Sequence, residues 1–290
     1  MNKIAVLLLL SFVVPRADAH EVRADGKVVF NLQQLAAGVY AAVSPGPQMP
    51  AISNTAFAVL DDGVLVVDTH RSPAAAKTLL DEIRKVTDKP VRYLVITHFH
   101  GDHMGGISAF PKDIEIIAHD RTRERLVRTG PDGAPLPDLT VSESMTLRRG
   151  REVQIRYAGR GHTDGDLFVW LPKESVLIAG DLLFNNYIGF MQDAYVADWA
   201  QTLGRLIDLR PTVVVPGHGE VTDVRSLKLF RAYLWDFINA VKEKKKDGLS
   251  AAQTAHHFKL PPSYQSWGMQ DAALKANVIR VYNELDGDAR

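Results

Sequence analysis

The segment Thr97-His98-Phe99-His100-Gly101-Asp102-His103-Met104-Gly105-Gly106 carries three imidazoles and a carboxylate, directly after the apolar run Tyr93-Leu94-Val95-Ile96. Neutral imidazole nitrogen and carboxylate oxygen are the donors that zinc and its neighbours accept, at about 2.0–2.2 Å. His98 and His100, two positions apart, lean to one side of an extended chain. Asp102 and His103 lie past Gly101 and can turn to a second point, so the spacing suits two metals better than one. Further donors stand in Gly161-His162-Thr163-Asp164-Gly165-Asp166, Ala179-Gly180-Asp181 and Pro216-Gly217-His218-Gly219. Each island follows an apolar, strand-like run (153–157, 176–178 and 213–215), and loops where strands end can bring residues distant in sequence to one place.

The elements that must position these groups are readable in outline. Apolar runs predict strands at 39–43, 55–60 and 64–67. A helix follows, with Ser72 as N-cap and Pro73 at its first position, through Leu79, Leu80 and Ile83. Another strand leads into His98. A helix is expected over 121–128, then a Gly/Pro-rich surface loop at 130–137 and strands between 139 and 177. Asp198-Trp199-Ala200-Gln201 reads as a capping box opening a helix through Leu203, Leu206 and Ile207, ended by Arg210-Pro211. Past Thr222, Val224, Leu227, Phe230, Leu234, Phe237 and Val241 recur at helical spacing, and two more helices are expected beyond Ser250, separated by Pro261-Pro262. The segment of about 223–290 is therefore read as a helical, packing extension of one domain spanning 20–290.

Composition narrows the class. The chain has 290 residues, 46% of them apolar, a formal net charge of zero and no cysteine. That length suits one large α/β domain or two small ones. The basic run Lys242-Glu243-Lys244-Lys245-Lys246 reads as a solvated helix end complementing the dipole, so nucleic-acid binding has little support. Without a disulfide, the core and any metals must hold the fold. The first nineteen residues read as a signal peptide: Lys3, the apolar run 4–14, and Ala17-Asp18-Ala19 as an A-x-A cleavage pattern. The run is too short to span a bilayer core of about 30 Å. The expectation is cleavage before His20, a periplasmic or secreted protein, and no stable membrane insertion afterwards.

The ordered series H-x-H-x-D-H, then His162, Asp181 and His218, resembles the metallo-β-lactamase superfamily, over about residues 40–221. The resemblance implies a four-layer αβ/βα sandwich with two related halves, faintly echoed by Val64-Leu65-Val66-Val67-Asp68 and Val176-Leu177-Ile178-Ala179-Gly180-Asp181. It implies that His98, His100 and His162 hold one metal, that Asp102, His103 and His218 hold another, and that Asp181 bridges both. It makes Asp68 a strand-end carboxylate fixing a ligand's orientation. The best-known β-lactamase branch places cysteine at Asp181 and often a lysine three positions later, where Phe184 stands. The chain therefore looks more like the broad hydrolase branch, with its glyoxalase II-like, lactonase-like and β-lactamase-like members.

The implied chemistry is an exported dinuclear zinc hydrolase, with iron or manganese also compatible with such donors. Two ions about 3.5–4 Å apart bring the pKa of shared water toward 7, and the water would attack the carbonyl of a small ester, lactone, thioester or cyclic amide, β-lactams included. Asp102 and Asp181 are the expected catalytic carboxylates. Asn185, Asn186 and Tyr187 are candidates for substrate contact, within an apolar loop 183–191 expected to wall the pocket. Other readings are an iron-dependent oxidoreductase on the same fold, or a metal-loaded binding protein without turnover. Of the remaining histidines, His119 reads as structural, His256 and His257 as helix-surface residues and His20 as part of a flexible terminus, while His70 either lines the pocket or serves the core.

Overall fold

The computed structural model describes residues 19–46, 51–130, 135–268 and 270–287. The expected signal peptide falls, apart from Ala19, outside the described residues. Eight strands form the first sheet in sequential order: β1 (Ala19–Ala24), β2 (Lys27–Ala36), β3 (Val39–Val43), β4 (Thr55–Val59), β5 (Val64–Val67), β6 (Val91–Val95), β7 (Glu115–His119) and β8 (Leu139–Val141). The second sheet has the order β13-β12-β11-β10-β9, from β9 (Ser144–Arg148), β10 (Glu152–Tyr157), β11 (Leu167–Leu171), β12 (Val176–Phe184) and β13 (Val213–His218). Among the described residues, seven α-helices accompany them: α1 (Pro73–Val86), α2 (Gly101–Met104), α3 (Asp120–Thr129), α4 (Val196–Asp208), α5 (Val224–Lys246), α6 (Ala251–His257) and α7 (Gln270–Leu285).

The central strands β4, β5, β11 and β12 are apolar and buried on both faces, as strands covered on both sides must be, and alternate residues serve different layers. Leu65 and Val67 of β5 point into the core between the sheets with Val153, Ile155, Val169 and Ile178, whereas Val64 and Val66 pack with Leu79, Leu80 and Ile83 of α1. In β12, Val176 and Ile178 face the first sheet, while Leu177 and Ala179 pack with Trp199 and Leu203 of α4 and Phe230 and Leu234 of α5. Helix, sheet, sheet and helix thus stack in four layers. Among the described residues, no helix is long and apolar enough to cross a membrane.

Two local expectations change and one holds. His20 is not in a flexible end: it pairs opposite Leu32 in the β1–β2 hairpin, whose turn Asp25-Gly26 has both φ values positive, at 49° and 73°, the geometry that Asp-Gly favours. The helix expected from an Asp198 cap starts earlier, at Val196, and Tyr195 offers no side-chain cap. Glu284 of α7 does so instead, accepting from the Val196 and Ala197 amides at 2.8 and 3.0 Å, while Asp198 pairs with Arg160. The α1 start matches its expectation, with Ser72 accepting from the Ala75 amide.

Candidate metal centre

Every expected ligand arrives at one end of the sandwich. His98 and His100 follow β6, Asp102 and His103 lie in the single turn α2, His162 lies in the β10–β11 loop, and Asp181 and His218 lie within β12 and at the end of β13. The structure brings His98, His100, His162 and Asp181 into one group and Asp102, His103 and His218 into another, with donor atoms within 4.8 Å of one another in each. Asp181 faces both: Oδ2 lies 3.3 Å from His162 Nε2 and 3.7 Å from His98 Nε2, and Oδ1 lies 3.0 Å from His103 Nε2 and 3.4 Å from His218 Nε2. Asp102 Oδ2 stands 3.2 Å from His218 Nε2.

Backbone shape makes this convergence feasible. β12 bulges around Ala179, and Gly180 adopts a φ of 53° that swings Asp181 toward the donors; glycine adopts that region without a Cβ penalty. Gly217 is needed for closeness, because a Cβ there would meet Asp181 Oδ1 at 1.8 Å. Asn54 ties down the segment carrying His218, donating to the Pro216 and Gly219 carbonyls at 2.9 and 2.7 Å. Ser53 donates to the Asp102 carbonyl. Asp166 accepts from the Thr163 amide and hydroxyl, both at 2.7 Å, fixing the turn with His162.

Asp68, at a φ of 63°, accepts from the Thr97 amide, the Thr97 hydroxyl and His103 Nδ1, the last at 2.7 Å. The Thr97 oxygen in turn lies 3.0 Å from His98 Nδ1. One carboxylate therefore sets two imidazoles so that their Nε2 lone pairs face the centre, directly for His103 and through Thr97 for His98. Sequence reading missed the corresponding group for His100, whose Nε2 lies 3.1 Å from Asp193 Oδ2 while Nδ1 faces His162. Arg125 donates to the other Asp193 oxygen at 2.8 Å and lies 4.4 Å over the Phe99 ring. Nothing local marks Asp193; it follows an apolar stretch as an ordinary turn acid would.

The atoms in this cluster suit a cation. Nε2 of His98 and of His103 and Asp181 Oδ1 are buried without a hydrogen-bond partner among the described residues; the last two are close but out of line for a hydrogen bond. Burial holds His98 well below the usual imidazole pKa and brings His162 down to about 3, despite the neighbouring Asp181 carboxylate, so both present neutral lone pairs. Burial is the largest single effect on His103 and His218 and opposes their charge, but Asp181 and Asp102 together, joined by Asp68 at His103, outweigh it. His103 is raised well above its usual value, and His218 to about 9. Burial would push Asp181 up, yet the charges of His103, His218 and His162 bring it well below the carboxylate range. Three buried or half-buried carboxylates here demand positive charge, which a divalent metal supplies without protons.

Around the cluster the expectations divide. Phe184 does not wall a pocket: it is 1% exposed and stacks face to face on His218, with ring centroids 5.0 Å apart. The half-exposed ring of the segment near the donors is Phe190, 5.5 Å from His100 and 6.3 Å from His162. Asn185 is buried, its side-chain amide donating to the Glu220 carbonyl, whereas Asn186 is exposed and Tyr187 half-buried beside Gly268. His70 is fully buried against Phe30, with Nδ1 2.8 Å from the Ser53 carbonyl. Burial brings its pKa down to about 4, and its ring belongs to the core. His119 caps α3 through Nδ1, as a structural histidine would.

Comparison with known proteins agrees in kind. The family model described as Metallo-beta-lactamase superfamily matches residues 49–218. The metallo-beta-lactamase type 2 of Elizabethkingia meningoseptica is 29% identical over 201 residues, covering 67% of this chain and 78% of that protein. The metallo-beta-lactamase type 2 of Bacillus cereus is 34% identical over 170 residues, covering 56% of this chain and 64% of that protein. Among solved structures, a metallo-beta-lactamase from Pontibacter korlensis superposes with a TM-score of 0.64 at 23% identity, covering 71% of this chain and 99% of that one, a likeness of fold.

Proposed function

The chain belongs to the metallo-beta-lactamase superfamily, and from that membership and the donor geometry we propose that this metal-dependent hydrolase holds two zinc ions and attacks the carbonyl carbon of a small ester, lactone, thioester or cyclic amide, β-lactams among them. The observation that carries the reading is Asp181, one oxygen turned to His98 and His162 and the other to His103 and His218. A single carboxylate shared in this way supports two adjacent cations better than one.

When bound, such a metal pair makes water nucleophilic near neutral pH and polarises the carbonyl under attack. The protein's own groups do the rest. His98, His100 and His162 would hold one ion, Asp102, His103 and His218 the other, and Asp181 would set their separation. Asp68 and Asp193 hold the imidazoles in the orientation that ligation requires. The Asp102 side chain is 28% exposed, against 3% for Asp181, so it is the carboxylate that reaches incoming water. It orients that water by accepting a proton and passes the proton to the departing atom. Phe190 keeps bulk water from one side of the carbonyl. Asn186 and Tyr187 are the polar groups available for substrate contact, since the Asn185 amide is already committed. Export to the periplasm or beyond, directed by residues 1–19, belongs to the same reading, and intact mass of the exported protein beginning at His20 tests it.

The enzymatic test is metal analysis of the zinc-saturated mature protein beside a panel of nitrocefin, an aryl ester, a lactone and a thioester. Two zinc ions per chain and turnover of at least one substrate are expected. One ion per chain overturns the dinuclear site, and silence across the panel from zinc-replete protein overturns hydrolysis in favour of a binding role.

A further inference from the structure

Beyond Asp193 lies an open surface cleft of about 330 Å³, lined by Gln192, Asp193, Ala276, Ile279, Arg280 and Asn283. Small-molecule sites begin at about 300 Å³. One wall is the segment leading from β12 into α4; the other is α7, which lies outside the region matched by the family model. Asp193 belongs both to the cleft and to the centre, since its Oδ2 is 3.1 Å from His100 Nε2. The cleft is thus one hydrogen bond away from a donor to the centre.

The wall is held in place. Asn277 of α7 accepts from the Met191 amide at 3.0 Å and donates to the Gly189 carbonyl at 2.9 Å, Arg280 donates to the Ala194 carbonyl at 2.7 Å, and Glu284 caps α4. Preorganised walls lower the cost of ordering on binding. The charges in the lining are committed: Asp193 to His100 and Arg125, Arg280 to Ala194 and toward Glu284. A carboxylate entering would face Asp193, and an ammonium would face Arg280. The polar capacity left over is the two amides, Gln192 and Asn283, each able to donate and accept, beside apolar Ala276 and Ile279.

We propose that this cleft is a substrate subsite that seats an uncharged, hydrogen-bonding acyl side chain, a carboxamide on a short carbon chain, while the scissile carbonyl lies at the donor cluster. The inference rests on the hydrolase reading above. Ile279 is 42% exposed, so Ile279→Trp fills the cleft without disturbing the core, and Asn283→Leu removes one amide. The p-nitrophenyl esters of acetic acid and of glutaramic acid differ only in the group the cleft would hold. Both variants should lower kcat/KM for the glutaramate ester by roughly tenfold, the upper range for losing one hydrogen bond, and leave the acetate ester within about twofold of wild type. No change with either ester, or an equal loss on both at unchanged zinc content, overturns the subsite. Should zinc-loaded wild type hydrolyse neither ester, hydrolysis of esters fails as a reading, and the cleft is judged by calorimetry. Tighter binding of the glutaramate ester by wild type than by Ile279→Trp then supports the subsite, and equal affinity overturns it.

Discussion

Asp193→Ala should weaken metal binding while leaving the fold in place. His100 presents Nδ1 to the centre, 2.8 Å from His162 Nε2, and so carries its proton on Nε2, where Asp193 accepts it at 3.1 Å. Removing the carboxylate frees the ring to rotate and lowers the basicity of Nδ1. Loss of such a partner costs about 10–100-fold in metal affinity, or about 1.4–2.8 kcal/mol. Asp193→Asn keeps an accepting oxygen without the charge and should fall between the two. Arg125→Ala removes a half-exposed ion pair, worth about 0–1 kcal/mol, and should lower affinity no more than about fivefold. Zinc competition against a chromophoric chelator gives the affinities, and thermal melts of the metal-free variants, within a few degrees of wild type, show that folding is spared. Wild-type zinc affinity in Asp193→Ala would refute the reasoning, leaving the flanking Phe99 and Phe190 rings to orient His100.

Four other outcomes are expected. His218→Ala should retain about one zinc per chain and lose most activity, since two ions acidify water together; retention of two zinc ions by metal analysis would contradict it. Phe184→Lys should not accumulate as folded protein, because its ammonium would lie among Trp199, Phe230 and His218 at a cost of several kcal/mol; a wild-type melting temperature would show the ring is not core. Gly217→Ala should displace Asp181 and lose zinc affinity more than stability, read by chelator competition beside urea unfolding. Asp223 caps α5 and is held below its usual pKa chiefly by hydrogen bonding with Arg225. A lowered carboxylate stabilises above its unfolded pKa and loses that as pH falls, so Asp223→Ala should cost about 1 kcal/mol at pH 7 and the gap should close below about pH 4; a gap constant from pH 7 to 3 in urea midpoints would exclude the cap.

What was legible in the chain was what local rules govern. Ser72-Pro73 starts α1 because the cap and its amide lie three residues apart, and the runs before His98, Asp181 and His218 are strands because both faces are apolar. The Asp25-Gly26 turn was equally local, but weighting His20 as terminal passed over the hairpin. The remaining support was not legible, since its partners are far apart in sequence. Glu284 caps a helix 88 residues earlier, Asp193 meets His100 across 93 residues, and Asn54 holds Pro216 across 162. Each residue type is ordinary in its own neighbourhood; only the packing of α7, of the segment between β12 and α4, and of the segment before β4 gives it a role.

The faint echo between the two strand motifs has a geometric counterpart that explains why one aspartate supports a ligand and the other sits among the ligands. β5 runs parallel to β6 and β12 parallel to β13, with Val67 opposite Val95 and Ile178 opposite Val215. Three residues beyond Val95 stands His98, and three beyond Val215 stands His218. On the neighbouring strands the offsets differ: Asp68 comes one residue after Val67, whereas Asp181 comes three after Ile178, beyond the bulge around Ala179. Within β12, the bulge and the residue after it carry the second carboxylate into the donor cluster, 3.0 Å from His103 Nε2, while the first stays behind the same ring at 2.7 Å from Nδ1. His103 is thereby held between the equivalent carboxylates of the two halves, one fixing its proton and the other facing its lone pair, and the Ala179 bulge is the feature that separates those roles.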